Sequence, residues 1–397
     1  MPRLLLVLPT STYRAADFLE AARAQGAEVV VASEEEQAMA GAMGDRFVRV
    51  DLCDPDEAAS RIVERVAPID GVVGVDEQGV VVAAKTAAAL GIAHSPPDAV
   101  AITRDKAQMR SVLTDAGLDQ PRFRVAGTDV AKTAADVGLP CVVKATSLAG
   151  SRGVIRSDTP QEAAAAADRV RKIVGEPDAT VLIEQYVPGA EVAVEGLLRG
   201  GHLDVLAVFD KPDPLEGPYF EETIYVTPSR LPGELQDEIV RTIHLACAAI
   251  GLIEGPVHAE LRIHDGRCVL LEVAARSIGG LCSRALRFGA GISLEEVIVR
   301  HALGHDPGDL RRAKAASGVM MIPIPRSGVL RAVGGRDEAS AVEGIEGIEI
   351  TIPIGQDVLA LPEGDRYLGF IFASGGEPAE VEAALRRAHA LLRVTID

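Results

Sequence analysis

The sequence predicts a multidomain α/β protein that begins with a doubly wound parallel sheet and continues as an α+β half. The chain has 397 residues, about two and a half times the ~150 residues of a typical domain. Apolar residues make up 48% and charged residues 25%, which excludes a disordered, collagen-like or coiled-coil chain. Short apolar runs alternate with helical stretches over residues 1–95, and this order is typical of parallel sheets.

Four apolar runs in the first region are predicted to be strands, at 4–8, 28–32, 47–50 and 71–75. Predicted helices cover 13–25, the stretch from Asp54 to about 66, and a stretch ending at Gly91. Asp76 and Glu77 follow the fourth strand, at the edge where parallel sheets bind ligands. The alternative for this pair is a solvated loop or a helix cap. No glycine-rich dinucleotide fingerprint follows the first strand.

The chain changes character at 94–98, a proline-containing stretch that predicts a linker. Residues 99–117 are predicted to be one helix. Short strands around one or two helices are predicted over 121–188, and strands followed by helices over 190–310. From about 317 the sequence is strand-rich, with a helix near 377–391, and we expect an appended structural domain there.

Composition excludes several classes of partner. Lys and Arg total 40 against 58 Asp and Glu, a net charge of −18, which disfavours nucleic acid and anionic lipid surfaces. The five cysteines form no CxxC pair, so we expect reduced thiols and a cytoplasmic location. No run of 18 apolar residues occurs, and the apolar start ends at Pro9, which favours a first strand over a signal peptide.

The scarcity of lysine makes each lysine in an apolar stretch a candidate functional residue. Only seven of the 40 basic residues are Lys. Lys144 directly follows the apolar run 139–143. Its side chain either faces a cleft, where it would bind phosphate oxygens, or reaches water from an edge strand. The following loop, 147–153, has two glycines that let backbone N–H groups approach an anion, and Arg152 adds charge. The alternative for this loop is a simple hairpin.

Two carboxylates flank the next strand-ending turn. An apolar strand ends at Glu184, and Glu191 follows seven residues later. Free backbone groups at the Pro188 turn could bind an adenine edge, and the second carboxylate could bind ribose hydroxyls. The alternative is a strand-turn-strand unit with two exposed acids.

Glu260 and Glu272 form the strongest pair of carboxylates. Each lies inside an apolar run, and a glycine marks the turn between the runs, so we predict a hairpin with one carboxylate on each strand. Two buried like charges need a cation or a proton between them, and Mg²⁺ uses such hard oxygen ligands together with substrate phosphates. Arg276 and the turn 278–280 complete this site. The alternative is that both acids pair with Arg262 and Arg276.

Taken in order, these motifs resemble the ATP-grasp superfamily of carboxylate–amine ligases. The order is Lys106 in Arg104-Asp-Lys-Ala-Gln-Met109, Lys144, the glycine loop, Glu184 with Glu191, and Glu260 with Glu272. The run 271–282 and the strand-rich tail look most like the L-amino acid ligase (dipeptide synthase) branch. The resemblance implies a Rossmann-like domain at 1–95, a linker and helix with the first ATP lysine at 96–120, a mobile lid at 121–188, a catalytic subdomain at 189–312 and an α/β extension at 313–397.

The resemblance also implies a role for each matching residue. Those that would hold ATP phosphates are Lys106, Lys144 and the loop residues Ser147, Gly150, Ser151, Arg152 and Gly153. Those around the adenine and ribose would be Glu184, Gln185, Tyr186, Val187 and Glu191. Glu260 and Glu272 would bind Mg²⁺, which Mn²⁺ could replace. Arg276 would face the acyl phosphate, with Lys144 and Glu272 as its catalytic partners. Lys211, also assigned to the nucleotide set, and the stretch 218–222 resemble that branch's substrate loop.

The implied activity is formation of an amide between a carboxylate, an amino acid, and an amine through an acyl phosphate, with ADP and phosphate released. The implied partners are these small molecules, with no nucleic acid and no membrane, and a homodimer is left open. Many superfamily members have Asn where this chain has Ala274, which leaves open whether one or two Mg²⁺ ions bind. The alternative activities are a carboxylase acting through carboxyphosphate, similar to biotin carboxylase, and a non-catalytic ATP-binding module.

Overall fold

The amino-terminal part of the computed structural model, which describes residues 1–35 and 44–397, is a four-stranded parallel sheet. Its strands are β1 (Arg3–Val7), β2 (Glu28–Ser33), β3 (Phe47–Arg49) and β4 (Gly71–Gly74), in the order β3-β2-β1-β4. Its helices are α1 (Ala15–Ala24), α2 (Pro55–Val66) and α3 (Val80–Leu90). Asp54 caps α2, and Gly91 ends α3 in the left-handed conformation. The predicted parallel sheet is therefore confirmed.

Strand β1 shows why these strands are unbroken apolar runs. Leu4 and Leu6 pack in one hydrophobic cluster with side chains of α1, while Leu5 and Val7 pack in another with side chains of α2 and α3. All four residues are fully buried. A parallel strand with helices on both faces has no polar face, so the alternation typical of half-exposed strands is lost.

The predicted single helix over 99–117 is two helices, α4 (Pro97–Arg104) and α5 (Lys106–Asp115). Asp105 separates them with an extended backbone, and its side chain accepts hydrogen bonds from the backbone N–H groups of Ala107 and Gln108. The break places Lys106 at the first position of α5, where its N–H donates to the carbonyl of Thr146, 3.1 Å away, beside the glycine loop. An Asp inside a helical run can begin a new helix, and this capping signal was available in the sequence.

The second unit is a small antiparallel sheet that we call the lid, residues 121–188. Its strands are β5 (Phe123–Val125), β6 (Cys141–Ala145), β7 (Ile155–Ser157) and β8 (Val181–Gln185), in the order β5-β8-β6-β7, and its helices are α6 (Val130–Val137) and α7 (Pro160–Val174). β6 is an inner strand, so the edge-strand alternative for Lys144 is wrong. The glycine loop joins β6 to β7 and is the connection of an antiparallel hairpin.

The third unit is an eight-stranded antiparallel sheet that carries the rest of the candidate site. Its strands are β9 (Ala190–Arg199), β10 (His202–Lys211), β11 (Ile224–Thr227), β12 (Gly255–His264), β13 (Arg267–Ala274), β14 (Ala316–Ile322), β16 (Ile345–Ile350) and β18 (Gly369–Gly375), in the order β13-β12-β9-β10-β11-β14-β18-β16. The helices of this region are α8 (Gly233–Ile250), α9 (Leu294–Ala302), α10 (Arg336–Ser340) and α11 (Pro378–Leu391). A three-stranded sheet of β15 (Gly328–Gly334), β17 (Asp357–Val358) and β19 (Arg393–Ile396) completes it.

The strand-rich carboxyl-terminal extension is present, and three of its strands continue the central sheet. β14 pairs with β11 along its length, and β18 and β16 follow it in the same sheet. Met321 and Tyr367 from this segment line the central cavity. The strand pattern of the tail was visible in the sequence, but its edge-to-edge pairing with β11 was not.

The hairpin of β12 and β13 is confirmed. Its turn sets the register as far as the pair Leu261–Leu270, and a bulge then shifts the pairing by one residue. The two-residue turn consists of Asp265 and Gly266, both with positive φ (50° and 74°), as a tight hairpin turn requires. Across the hairpin, Glu260 is the direct partner of Glu272. The two carboxylates therefore start from adjacent backbone positions on neighbouring strands.

Among the residues the structure describes, no helix has the length and apolar character needed to cross a membrane.

Candidate active site

A cavity of about 250 Å³ lies between the lid, the central sheet and the edge of the amino-terminal sheet, and its size is close to that of small-molecule sites. The predicted site residues that line it are Lys106, Lys144, Gly150, Ser151, Glu184, Gln185, Tyr186, Val187, Glu191, Glu260, Glu272 and Arg276. Four predicted residues are not on its wall: Ser147, Arg152, Gly153 and Lys211. Of these, Lys211 contacts carboxylates that are on the wall.

Lys144 is held by a buried ion pair inside the lid. Its Nζ lies 2.7 Å from Oε2 of Glu184, while Arg110 Nε donates to Oε1 of the same carboxylate at 2.6 Å. Burial lowers the pKa of Lys144, and Glu184 opposes that effect. Burial would raise the pKa of Glu184, but the charges of Arg110 and Lys144 outweigh it and lower the pKa to about 2. Both oxygens of Glu184 thus serve Lys144 and Arg110, so the carboxylate orients the lysine.

Lys106 joins the glycine loop to the hairpin. Its Nζ donates to the carbonyl of Leu148 at 2.7 Å and lies 3.4 Å from Oε1 of Glu272. The side chain is buried, with 7% of its surface exposed. This ammonium therefore links the loop predicted to cover phosphates with one of the predicted metal ligands.

Glu260 is neutralised by two cations. Its Oε1 lies 3.0 Å from Nζ of Lys211 and 3.3 Å from Nε2 of His258. The other ring nitrogen of His258 lies 2.6 Å from Oε1 of the fully buried Glu195. Burial would lower the pKa of His258, but its hydrogen bonds to the two carboxylates raise it to about 9. His258 and Glu195, which the sequence analysis missed, hold Glu260 in place.

The alternative pairing of both hairpin acids with Arg262 and Arg276 is wrong. Arg262 pairs with Glu191 at 2.8 Å, and its other nitrogens donate to the carbonyls of Val187 and Leu215. Arg276 pairs with Glu77. The solvated-loop alternative for Glu77 is wrong as well, since this residue is only 7% exposed.

Lys211 lies among three carboxylates. Its Nζ is 2.8 Å from Glu191, 2.5 Å from Glu222 and 3.0 Å from Glu260. Burial would lower the pKa of Lys211, but these charges raise it well above its ordinary value. Burial raises the pKa of Glu222 to about 7, with Lys211 opposing and Glu260 adding to the rise. Glu191 is thus engaged by Lys211 and Arg262, which leaves it less free for a ribose than its position in the motif implied.

The hairpin carboxylates fit a magnesium ion. Glu260 and Glu272 are direct cross-strand partners, and their side chains are 21% and 20% exposed toward the cavity, compared with 4% for Glu184. Carboxylate oxygens are the ligands that Mg²⁺ prefers. In the described residues, the carboxylates that form a group of three within 4.8 Å are Glu191, Glu222 and Glu260. Glu260 belongs to that group, whereas Glu272 lies outside it on the opposite strand of the hairpin.

The glycine loop is anchored to the carboxyl-terminal segment. Gly150, Ser151 and Gly153 all have positive φ (65°, 58° and 67°), and the N–H of Gly153 donates to the carbonyl of Pro362 at 2.9 Å. Arg152 turns away from the cavity and donates to the carbonyl of Glu363. Its predicted contribution to the anion site is therefore replaced by a contact between the lid and the tail.

Three family descriptions match successive parts of the chain. The ATP-grasp N-terminal domain matches residues 19–94, the ATP-grasp domain 137–285, and the L-amino acid ligase C-terminal domain 2 residues 320–397. The chain belongs to the ATP-grasp superfamily. The resemblance to the L-amino acid ligase branch, suggested by the run 271–282 and the strand-rich tail, is confirmed.

This ATP-grasp protein aligns with only part of the length of its curated relatives. It is 27% identical to an alanine–anticapsin ligase of Bacillus subtilis over 255 residues, which is 57% of this chain and 53% of that protein. It is 25% identical to an uncharacterized protein of Sinorhizobium fredii over 296 residues, 74% of this chain and 61% of that protein. The chain thus spans roughly half to three fifths of the length of these curated relatives.

Solved structures cover the whole chain. The L-amino acid ligase from Bacillus licheniformis superposes with a TM-score of 0.82 and 27% identity, covering 100% of this chain and 99% of that one. Phosphoribosylglycinamide synthetase from Anaerococcus prevotii superposes with a TM-score of 0.72, and its 14% identity indicates a shared fold alone.

The buried Lys144–Glu184–Arg110 group generates a stability prediction. The folded pKa of Glu184, about 2, lies below the ordinary value of 4.5, so ionised Glu184 stabilises the fold above pH 4.5, and this contribution is lost as the pH falls toward 2. Glu184→Gln should therefore lower the free energy of unfolding at neutral pH by about 3 kcal/mol. The deficit should shrink between pH 4.5 and 2.

Urea unfolding at a series of pH values measures this difference. Glu64→Gln, at an exposed position of α2, is the matched control and should behave as wild type. A deficit for Glu184→Gln that stays constant down to pH 2 would show that the carboxylate is not held ionised by its partners.

Proposed function

We propose that this protein is an ATP- and Mg²⁺-dependent ligase that joins an amino acid carboxylate to an amine through an acyl phosphate. The observation that carries the proposal is the convergence on one cavity of two buried lysines, two hairpin carboxylates and one arginine: Lys106, Lys144, Glu260, Glu272 and Arg276. The names of the matched L-amino acid ligase and alanine–anticapsin ligase support an amino acid as the carboxylate substrate.

The two lysines suit the phosphate end of the cavity. Lys144 comes from the lid and Lys106 from the first turn of α5, so their ammonium groups approach a ligand from different units. Lys106 contacts the carbonyl of Leu148 and Glu272, and Lys144 pairs with Glu184. Such compact point charges suit phosphate oxygens. Backbone N–H groups of the loop containing Gly150 and Gly153 could add further donors.

Glu260 and Glu272 would hold the magnesium ion. When bound, the ion supplies neutralisation of phosphate charge and alignment of the phosphate oxygens. With Ala274 buried at the position where many relatives have Asn, the chain's own oxygen ligands there are the two glutamates. Lys106 and Lys211 would then be released from these carboxylates to face the phosphates or the substrate.

The proposed reaction has two steps, and each step forms one bond and breaks another. A carboxylate oxygen attacks the γ-phosphorus, and the bond from that phosphorus to the bridging oxygen breaks, releasing ADP. The amine nitrogen then attacks the acyl carbon, phosphate leaves with the electrons of the acyl C–O bond, and the departing phosphate takes the proton that the nitrogen loses. Phosphorylation is needed because a free carboxylate would have to expel oxide. The protein's contribution is to position the groups and neutralise their charge.

Arg276 is placed for the acyl end of this reaction. It lies four residues beyond Glu272 on the cavity wall, beside the Gly279-Gly280 turn. A guanidinium fork can hold a carboxylate first and acyl-phosphate oxygens later.

Phosphate release measured over a panel of amino acid pairs tests the proposed function. We expect phosphate and amide to form together with some pairs, with amide identified by mass spectrometry and ADP formed in equal amount. ATP turnover that requires bicarbonate and no amino acid would instead indicate a carboxylase. ATP binding without turnover under any condition would indicate a non-catalytic module.

Arg276→Ala should separate catalysis from nucleotide binding. Its partner Glu77 keeps an ion pair with Arg104 at 2.7 Å in the variant, so the loss of Arg276 should not leave an uncompensated buried charge. We expect ATP affinity within about threefold of wild type and amide formation reduced at least ~10²-fold, the scale of one lost transition-state contact. Arg276→Lys should restore little, because a point charge cannot reproduce a two-pronged contact.

Calorimetric ATP binding measured beside amide formation decides the role of Arg276. Parallel loss of binding and activity in Arg276→Ala would reject a catalytic role and indicate that the arginine only balances the charge of the site.

A further inference from the structure

We propose that Glu77, a residue of the amino-terminal sheet, is a positioning residue that holds Arg276 in place for the amide-forming step. The inference rests on the proposed function, and it adds a residue from a different unit of the protein to the reacting end of the cavity. It stands on the ion pair between Glu77 and Arg276 and on the rigidity of the loop that carries Glu77.

The loop that carries Glu77 has little freedom to move. It connects β4 to α3, and the N–H of Val75 donates to the carbonyl of Val7 at 3.0 Å, while the N–H of Gly79 donates to the carbonyl of Asp76 at 3.0 Å. A Cβ atom at Gly79 would lie 2.6 Å from the carbonyl oxygen of Val7. Only glycine allows this approach, and the close packing fixes Glu77 at the carboxyl edge of the sheet.

Both oxygens of Glu77 are used by arginines. Oε2 accepts a hydrogen bond from Nε of Arg276, and Oε1 lies 2.7 Å from Nη1 of Arg104. The side chains of Glu77 and Arg276 are 8% and 13% exposed. Burial would raise the pKa of Glu77, but the charges of Arg276 and Arg104 outweigh it and lower the pKa to about 2. Glu77 is therefore ionised at every pH at which the enzyme would work.

A second contact from the amino-terminal unit secures the same segment. Nη1 of Arg276 donates to the carbonyl of Ser277 at 3.0 Å, and the hydroxyl of Ser277 accepts from Nη2 of Arg14 at 2.8 Å. Arg14 is fully buried and also pairs with Glu295 at 3.1 Å. The segment after β13 is thus held from the amino-terminal unit at two points, and Glu77 is the one that contacts the guanidinium itself.

These contacts orient the guanidinium and leave some of its N–H donors free. In the described part of the chain they engage two of the five N–H donors of Arg276, and the side chain lines the cavity. The remaining donors are available to a substrate oxygen. If Arg276 loses its fixed orientation, the acyl phosphate is held less well against the amine, and water competes for the acyl carbon.

The amount of amide formed per phosphate released measures this competition. Loss of a purely structural residue would leave that ratio unchanged. Glu77→Gln keeps the size of the side chain and removes its charge. Glu28→Gln is the matched control, because it removes the same charge from the 3.0 Å ion pair with Arg3 at the opposite edge of the same sheet. Amide and phosphate are measured in the same reactions, with ATP affinity by calorimetry and melting temperature alongside.

We expect the amide-to-phosphate ratio of Glu77→Gln to fall at least ~10-fold, with ATP affinity within about twofold of wild type, and the ratio of Glu28→Gln to stay unchanged. Glu77→Asp keeps the charge but shortens the reach, so it guards against a folding failure of Glu77→Gln and should also lower the ratio. Arg104→Gln removes the other partner of Glu77 and should leave the ratio as in wild type.

Several results would overturn the inference. One is an unchanged ratio in Glu77→Gln and Glu77→Asp, with amide and phosphate falling together as the melting temperature falls. Another is an equal fall of the ratio in Arg104→Gln, which would show that Glu77 does not act through Arg276. Failure of the wild-type protein to form amide with any amino acid pair would instead contradict the proposed function, so the two failures are distinguishable.

Discussion

A lysine buried inside a protein keeps its charge only where a partner compensates for the lost water, and carboxylates are those partners throughout this cavity. Lys144 has Glu184, Lys106 has Glu272, and Lys211 has three glutamates around it. An unpaired buried charge would cost several kcal/mol. Each buried cation therefore faces a carboxylate: Glu184 on β8 for Lys144, Glu272 on β13 for Lys106, and Glu260 on β12 among the partners of Lys211.

The pairs also hold the units of the protein together. The Lys144–Glu184 pair lies within the lid, whereas Lys106 connects the glycine loop to the β12–β13 hairpin. Glu77 ties the amino-terminal sheet to Arg276 of the central unit. The contacts that neutralise charge are the same contacts that set the distances between the phosphate end and the acyl end. In a ligase of the proposed type, Mg²⁺ would replace the lysines beside the carboxylates, and phosphate oxygens would replace the carboxylates beside the lysines. Each buried charge would therefore keep a partner of opposite sign.

Local patterns in the sequence predicted the parts of the fold that depend on neighbouring residues. The parallel sheet follows from its apolar runs, and the β12–β13 hairpin follows from a short turn between two such runs. The direct pairing of Glu260 with Glu272 also needs the bulge between Glu260 and Leu261, which the turn does not specify. The prediction of one helix across Asp105 overlooks a local capping signal. The other features that the sequence does not predict depend on distant packing: the pairing of β14 with β11 joins residues far apart in sequence, and the Glu77–Arg276 contact spans 199 positions. Nothing local in the sequence specifies which strand edges or which charges will meet.

The measurement that tests the central claim most directly is turnover of Glu272→Gln. This substitution keeps the shape of the side chain but removes one charge from the hairpin pair that is proposed to hold Mg²⁺ opposite Lys106. We expect amide formation and phosphate release to fall at least ~10²-fold, on the scale of one lost electrostatic contact in the transition state. ATP binding should weaken much less. Phosphate release close to that of wild type would contradict the account, because the hairpin carboxylates would then not be part of the reacting site.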